Sequence, residues 1–381
     1  MLKKTIRRLG ALAMVLAMAV SVFAVNASAA DGDTDADSSV GVGTDSLLIK
    51  KIVTTDGNTY APDTSFTFTI AEGAAGKYKN DVVYAGVDGG VYFSKAADNA
   101  KIKTASITYS PTDSTSDSYE KRTTIYTDVS AFAKVPGIYH YTVTETEGDY
   151  EGITYDKDVR DLYVYVTNKG DNGEVEVSSV VLVNSEGKKV DAWTNDYGKD
   201  NKLIHSVTVT KSVLGSQGNK SKPFKFTVSV TSAQGKNERY KVGYKVKDSD
   251  ATEQVTYVDN FTNTAKDAKT TVDIEISDTG YIKIYGLSKD DTYKVEEADY
   301  SDDGYVTTVD AGTDVNRVVT GTIGTGVEEG KPLADKSATV KNTKNTATPG
   351  GVIMTIAPYA LMLVVAGAFA VVFLSRRNRA E

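Results

Sequence analysis

The sequence predicts an all-β chain built from two tandem β-sandwich domains. Three observations predict it. Short stretches of strict apolar/polar alternation recur along the chain, and no sustained helical period occurs away from its two apolar ends. The order of strand patterns seen from Leu47 restarts at Val207. The composition suits an exported β-rich protein, with 23 Tyr and 32 Gly in 381 residues and no cysteine. Such a protein has no disulfide to stabilise it, so any added robustness must have another source.

The N-terminus reads as a secretory signal peptide over residues 1–29. Lys3, Lys4, Arg7 and Arg8 precede an apolar run from Leu9 to Val25, and Ala27-Ser28-Ala29 is a small-x-small cleavage site. Residues 30–46 carry Asp31, Asp33, Asp35 and Asp37 with few apolar groups, so a disordered leader is expected there.

The first domain is expected over residues 47–199. Leu47, Ile49, Lys51 and Val53 share one face of an opening strand, and Phe66-Thr67-Phe68-Thr69-Ile70 alternates plainly after the Pro62-Asp63 turn. Lys95 to Ser118 is polar and is expected to include long loops. Val135-Pro136-Gly137 launches a strand in which Tyr141, Val143 and Glu145 share the core face. Leu162–Val166 and Val175–Val183 read as further strands, and residues 190–197 close the unit. Gly198 to Lys202 reads as a linker.

The second domain is expected over residues 200–345. Val207, Val209, Lys211 and Val213 repeat the opening pattern, and Phe224-Lys225-Phe226 echoes the Phe66 strand. Tyr281–Leu287 leads into Tyr293-Lys294-Val295-Glu296-Glu297, where Tyr293, Val295 and Glu297 share a face. Ala338 to Asn342 closes it. Residues 346–381 form the last segment. Val352 to Leu374 is long and apolar enough to span a bilayer, and Arg376, Arg377 and Arg379 follow, which sets the C-terminus inside and the β domains outside.

Each unit therefore carries an inward Lys, then an inward Glu, then an Asn on its last strand: Lys51, Glu145, Asn195, and Lys211, Glu297, Asn342. The Lys–Glu separations are similar (145 − 51 = 94 and 297 − 211 = 86). One inward Lys is ordinarily a snorkelling surface residue, and one inward Glu is ordinarily a charge that blunts a sheet edge. Their recurrence in the same order on matching strands points to chemistry. Burial makes a lysine amine neutral and nucleophilic, and it lets a glutamate keep a proton. That Glu can hydrogen-bond the Asn carbonyl and shuttle protons while the amine displaces ammonia, leaving a Lys–Asn isopeptide bond.

These residues carry a resemblance. Leu47-Leu48-Ile49-Lys50-Lys51 with Pro62 to Phe68, Pro136 to Glu145, Gly152-Ile153-Thr154-Tyr155-Asp156, Trp193-Thr194-Asn195, Val207 to Lys211, Tyr293 to Glu297 and Val340-Lys341-Asn342 together resemble the backbone (shaft) pilins that Gram-positive bacteria assemble with sortases, the pilin isopeptide-linkage family. The resemblance covers Leu47 to Val352. It implies immunoglobulin-like (CnaB-like) sandwiches, each with a self-formed Lys–Asn bond promoted by its Glu. It favours Glu145 over Glu147, and it favours Lys51 over Lys50, as the face argument does.

The resemblance further implies a sortase as partner, together with other copies of the chain and minor pilins. The sortase would cut a sorting motif and join the new C-terminus to a Lys before the last strand of the first domain. Lys189 in Glu186-Gly187-Lys188-Lys189-Val190 fits that place, with Lys188 as its rival. The sorting site departs from the family, because Thr348-Pro349-Gly350-Gly351 has Gly350 where the family has Thr. The expected location is the cell wall or pilus of a Gram-positive bacterium, reached through a precursor anchored by residues 352–374. The alternative is an anchored adhesin that binds a host surface ligand without polymerising.

Other functions find little support. The net charge of −8 argues against nucleic acid as a partner. The 2 histidines, His140 and His205, are both read on the outer faces of their strands, so neither a His-based triad nor a metal site is expected. No nucleophile elbow, phosphate loop or cofactor motif stands out, and no enzymatic activity is expected.

Overall fold

The computed structural model describes residues 45–234, 236–248, 253–310, 312, 315–324 and 335–346. The expected signal peptide, most of the leader, the sorting residues Thr348, Pro349, Gly350 and Gly351, and the apolar segment 352–374 lie outside the described residues. Among the described residues no helix is long and apolar enough to cross a membrane. Strands dominate throughout, and one 3₁₀ turn, Val129–Phe132, is the single helical element described.

The first core lies between two sheets. One has the strand order Ile153–Thr154, Ala192–Tyr197, Ser46–Thr54, Ser118–Thr127, Val91–Tyr92. The other runs Glu174–Val183, Arg160–Lys169, Gly137–Glu145, Ser65–Glu72, Thr104–Thr108, with Asp81–Ala85 and Gly76–Tyr78 added beside Gly137–Glu145. Ile49, Val53, Phe66, Phe68, Tyr141, Val143, Leu162, Val164 and Trp193 fill the space between them. The period of two decides this. Alternate residues of Gly137–Glu145 from Tyr139 onward are buried, and the residues between them are half-buried.

The second core repeats the plan. A six-stranded sheet contains Tyr281–Leu287, His205–Leu214, Lys336–Thr343 and Val306–Val309 as neighbours. A four-stranded sheet runs Lys269–Ile276, Phe224–Thr231, Thr292–Glu297, Val318–Thr322. Val207, Val209, Val213, Phe224, Phe226, Ile282, Val295 and Val340 pack between them.

In both cores the opening strand lies parallel to the closing strand, and the registers match. Lys51 stands opposite Trp193 and Val53 opposite Asn195. Lys211 stands opposite Val340 and Val213 opposite Asn342. Each Lys thus sits two residues before the partner of its Asn, on the same inward face. The glutamates come from the facing sheet, with Glu145 opposite Phe68 and Glu297 opposite Phe226.

The structure adds two strands that the sequence reading did not name, and it corrects the reading of His205. Between the loops of Lys95 to Ser118, Thr104–Thr108 extends the second sheet beside Ser65–Glu72. Ser118–Thr127 then pairs along the whole opening strand. His205 is buried rather than outward. It stands two residues before Val207, so the period of two itself puts it on the inward face with Val207 and Val209. Its burial pulls the imidazole below its ordinary pKa.

Candidate functional site

Each core holds one buried polar triplet. In the first, Lys51 and Asn195 are completely shielded from solvent, and the Glu145 side chain is shielded as well. Lys51 reaches inward because its neighbours Ile49 and Val53 share the core face. Its Nζ donates to Glu145 Oε2 at 3.0 Å and lies 4.6 Å from the centre of the Phe66 ring. Asn195 Nδ2 donates to Glu145 Oε1 at 2.6 Å. Asn195 Oδ1 accepts the peptide N–H of Asp156 at 2.8 Å.

The second triplet has the same members. Lys211 Nζ lies 2.8 Å from Glu297 Oε1 but makes no directed hydrogen bond, and it sits 4.4 Å from the Phe224 ring centre. Asn342 Nδ2 donates to Glu297 Oε1 at 3.1 Å, and the Thr307 hydroxyl donates to Oε2 at 3.3 Å. Asn342 Oδ1 is buried with no partner among the described residues.

Burial dominates the electrostatics of both triplets. It lowers the Lys51 amine to about 8, against the opposing pull of Glu145, and lowers Lys211 to about 8 in the same way. Burial also raises the carboxyl groups of Glu145 and Glu297 above the ordinary glutamate range. Lysine and glutamate are thus both driven towards neutrality, which favours an uncharged amine beside a protonated carboxyl. Such an arrangement can carry a nucleophilic displacement on the neighbouring carboxamide.

All six residues named from the sequence for internal cross-links fall into these two triplets. In the first site Glu145 meets the amide nitrogen of the Asn rather than its carbonyl oxygen, because that oxygen is already held by the Asp156 N–H. Lys188 and Lys189 take no part in either site. Both are exposed on the turn after Glu174–Val183, where Asn184 Oδ1 accepts the N–H groups of Glu186 and Lys188. Lys188 pairs with Glu186 at 2.6 Å.

Sequence reasoning missed the supporting groups. Arg160 lies beneath the first site, 5.3 Å from the Trp193 ring centre, and its Nη2 pairs with Asp156 Oδ2 at 2.6 Å. The phenylalanines opposite the glutamates, and Phe66 and Phe224 beside the amines, were legible as core but not as the walls of a site. Among the described residues no three or more His, Cys, Asp or Glu are grouped to hold a metal.

Comparison with known proteins bears on both units. Residues 47–198 match the family described as the Spy0128-like isopeptide containing domain. Residues 205–348 match a domain of unknown function, DUF7601. A pilin of Streptococcus pyogenes serotype M1 is 26% identical over 347 residues, spanning 88% of this chain and 92% of its own. The crystal structure of the major pilin from Streptococcus pyogenes shares the fold, with a TM-score of 0.51 and 21% identity over 80% of this chain and 100% of that one. A substituted form of that pilin also scores 0.51, covering 79% of this chain and 99% of its own. Residues 47–198 thus match the Spy0128-like isopeptide containing domain, and over most of its length the chain is similar to a pilin of Streptococcus pyogenes.

Proposed function

We propose that the chain is a structural subunit of a covalently assembled cell-surface pilus in a Gram-positive bacterium, and that each of its two domains forms its own Lys–Asn isopeptide bond. The observation that carries this reading is the repeated, solvent-shielded Lys–Glu–Asn triplet in one strand register. In the reaction the Lys51 Nζ lone pair attacks Cγ of Asn195. The Nζ–Cγ bond forms and the Cγ–Nδ2 bond breaks. The protonated Glu145 gives its proton to Nδ2 and accepts the proton that Nζ loses, so ammonia leaves, the carboxyl ends as it began and no other reactant is needed. Lys211, Glu297 and Asn342 act in the same way.

Assembly between subunits would use the ends of the chain. The apolar segment 352–374 would hold the precursor at the membrane while a sortase cuts near Gly350-Gly351 within Thr348-Pro349-Gly350-Gly351. The acyl group would pass to Lys189, or to Lys188, of the next copy. An exposed turn suits an acceptor amine better than the shielded Lys51 or Lys211 does. The departure at Gly350 favours one second reading, an anchored adhesin that displays the same domains to a host ligand without polymerising.

Two measurements test this. Intact mass of the mature ectodomain should fall about 34 Da below the sequence mass, one ammonia per site, and an unshifted mass would refute the internal bonds. Cell-wall extracts should contain a ladder of covalent multimers, whereas a single anchored band would favour the adhesin.

A further inference from the structure

We propose that the two cross-linking sites are unequal catalysts, because the peptide N–H of Asp156 serves as an oxyanion donor in the first and the second has no counterpart among the described residues. This inference rests on the isopeptide reading above and deepens it. When an amine adds to a carboxamide, negative charge develops on the carbonyl oxygen. A donor aimed at that oxygen accelerates the step. Asn195 Oδ1 has such a donor at 2.8 Å, from a backbone group with nothing else to satisfy it in the strand ladder.

The fold explains the difference. In both domains the segment after the glutamate strand returns to run antiparallel beside the asparagine strand. In the first domain that ladder is short. Ile153 and Thr154 stand opposite Tyr197 and Asp196, and pairing then stops one residue before Asn195 would be reached. The chain turns inward, and the Asp156 peptide meets the Asn195 side chain. The turn is held on its other side, where Asp156 Oδ2 pairs with Arg160 Nη2 at 2.6 Å and Oδ1 accepts the Asp158 N–H at 3.0 Å.

In the second domain the equivalent ladder continues past the site. Val306–Val309 pairs regularly along Lys336–Thr343, with Thr307 directly opposite Asn342. No peptide turns in. Thr307 instead contributes its hydroxyl to the Glu297 carboxylate, and the Asn342 oxygen stays buried with no donor among the described residues. The helper in the second site thus acts on the proton carrier, not on the carbonyl.

The same comparison divides labour within the first site. With Oδ1 held by Asp156, Glu145 faces the leaving nitrogen. Glu145 therefore moves the proton from Lys51 to Nδ2, and the peptide N–H carries the oxyanion. The consequence is an order of events, in which the first domain closes before the second.

The test follows the full mature chain after a cell-free synthesis pulse, quenched in acid at intervals, with linked tryptic peptides counted for each site. The expected result is that the Lys51–Asn195 link forms at least about 10-fold faster than the Lys211–Asn342 link. Asp156→Pro removes the N–H and should slow the first link by about 100-fold, within the range for loss of one oxyanion donor, while the second link keeps its rate. Asp156→Ala keeps the N–H and should stay within about 3-fold of the parent. Trp193, the sole tryptophan, is buried in the first core and its emission reports that this domain has folded in each variant. A second site that closes as fast as the first would overturn the inference. So would parental first-site rates in Asp156→Pro, or equal slowing in Asp156→Ala, which would assign the effect to the Asp156–Arg160 pair. Failure of both links to form in the parent would overturn the isopeptide reading itself, and this inference with it.

Discussion

Glu145→Gln isolates what the first cross-link contributes to stability. Glutamine keeps the shape of the side chain and can still accept the Asn195 hydrogen bond, but it cannot carry a proton between Lys51 and Asn195. The bond should not form. In the parent, the proposed bond would close a loop of 144 residues (195 − 51). By the loop-entropy relation used for disulfides, such a closure is worth about 5 kcal/mol at 25 °C, less any native strain. Unfolding entropy scales with domain size, and for the roughly 150 residues of this domain 5 kcal/mol corresponds to about 15 °C in melting temperature. Lys51 would also lose its carboxylate partner in a dry site, which adds to the loss. The assay is differential scanning calorimetry beside intact mass, with Trp193 emission separating the first transition from the second. A variant shown by mass to lack the link, yet melting within about 3 °C of the parent, would refute the entropic account. A variant that still forms the link would refute the role given to Glu145.

Four further outcomes are expected. Glu297→Gln should remove only the second link, so that the mass loss falls from about 34 to about 17 Da, as read by mass spectrometry. The rate of the first link should be bell-shaped in pH. It should decline above about 8 as the pair loses its last proton, and decline at low pH once Glu145, held above the ordinary range by burial, is protonated beside a charged Lys51. Asn195→Ala leaves Lys51 unlinked with a folded-state pKa lowered to about 8 from its ordinary 10.5, so the unfolded chain binds more protons between those values. Its stability deficit relative to the parent should therefore shrink as pH rises from 8 towards 10.5, measured by denaturant titration at each pH. Substituting Lys188 and Lys189 together with Ala should abolish covalent multimers while both internal mass losses persist, and multimers in that variant would move the acceptor elsewhere.

The parts of the site that were legible in the sequence are those that break a local rule. Lys51 and Glu145 stand out because a period of two forces them onto apolar faces, and the second copy at Lys211 and Glu297 removes coincidence. Asn195 and Asn342 followed from strand order, since opening and closing strands can lie side by side. Ser118–Thr127 was not legible. Only Ile125 in it is fully buried, so its alternation carries almost no apolar signal even though it pairs along the whole opening strand. Thr104–Thr108 was hidden likewise, at a sheet edge with one buried residue. The Asp156 N–H could not be read at all. Every residue but proline has that group, and its role comes from where a ladder stops rather than from which side chain is present. The inward place of His205 was legible, since it stands two residues before Val207, and the outward reading ran against that alternation.

The parallel pairing of opening and closing strands has a mechanical consequence. Chain tension enters the first domain at the start of Ser46–Thr54 and leaves at the end of Ala192–Tyr197, so neighbouring strands are pulled in opposite directions along their length. Once Lys51 is joined to Asn195, the load runs from Ser46 to Lys51, crosses one covalent bond and exits beyond Asn195. The 143 residues between (194 − 52 + 1) stand outside the loaded path. Unlinked and fully extended, they would lengthen the chain by roughly 500 Å; linked, they contribute no compliance. The second domain is arranged in the same way through Lys211 and Asn342. A fibre of such units would transmit force as a nearly inextensible thread, with its folded bulk hanging beside the line of tension.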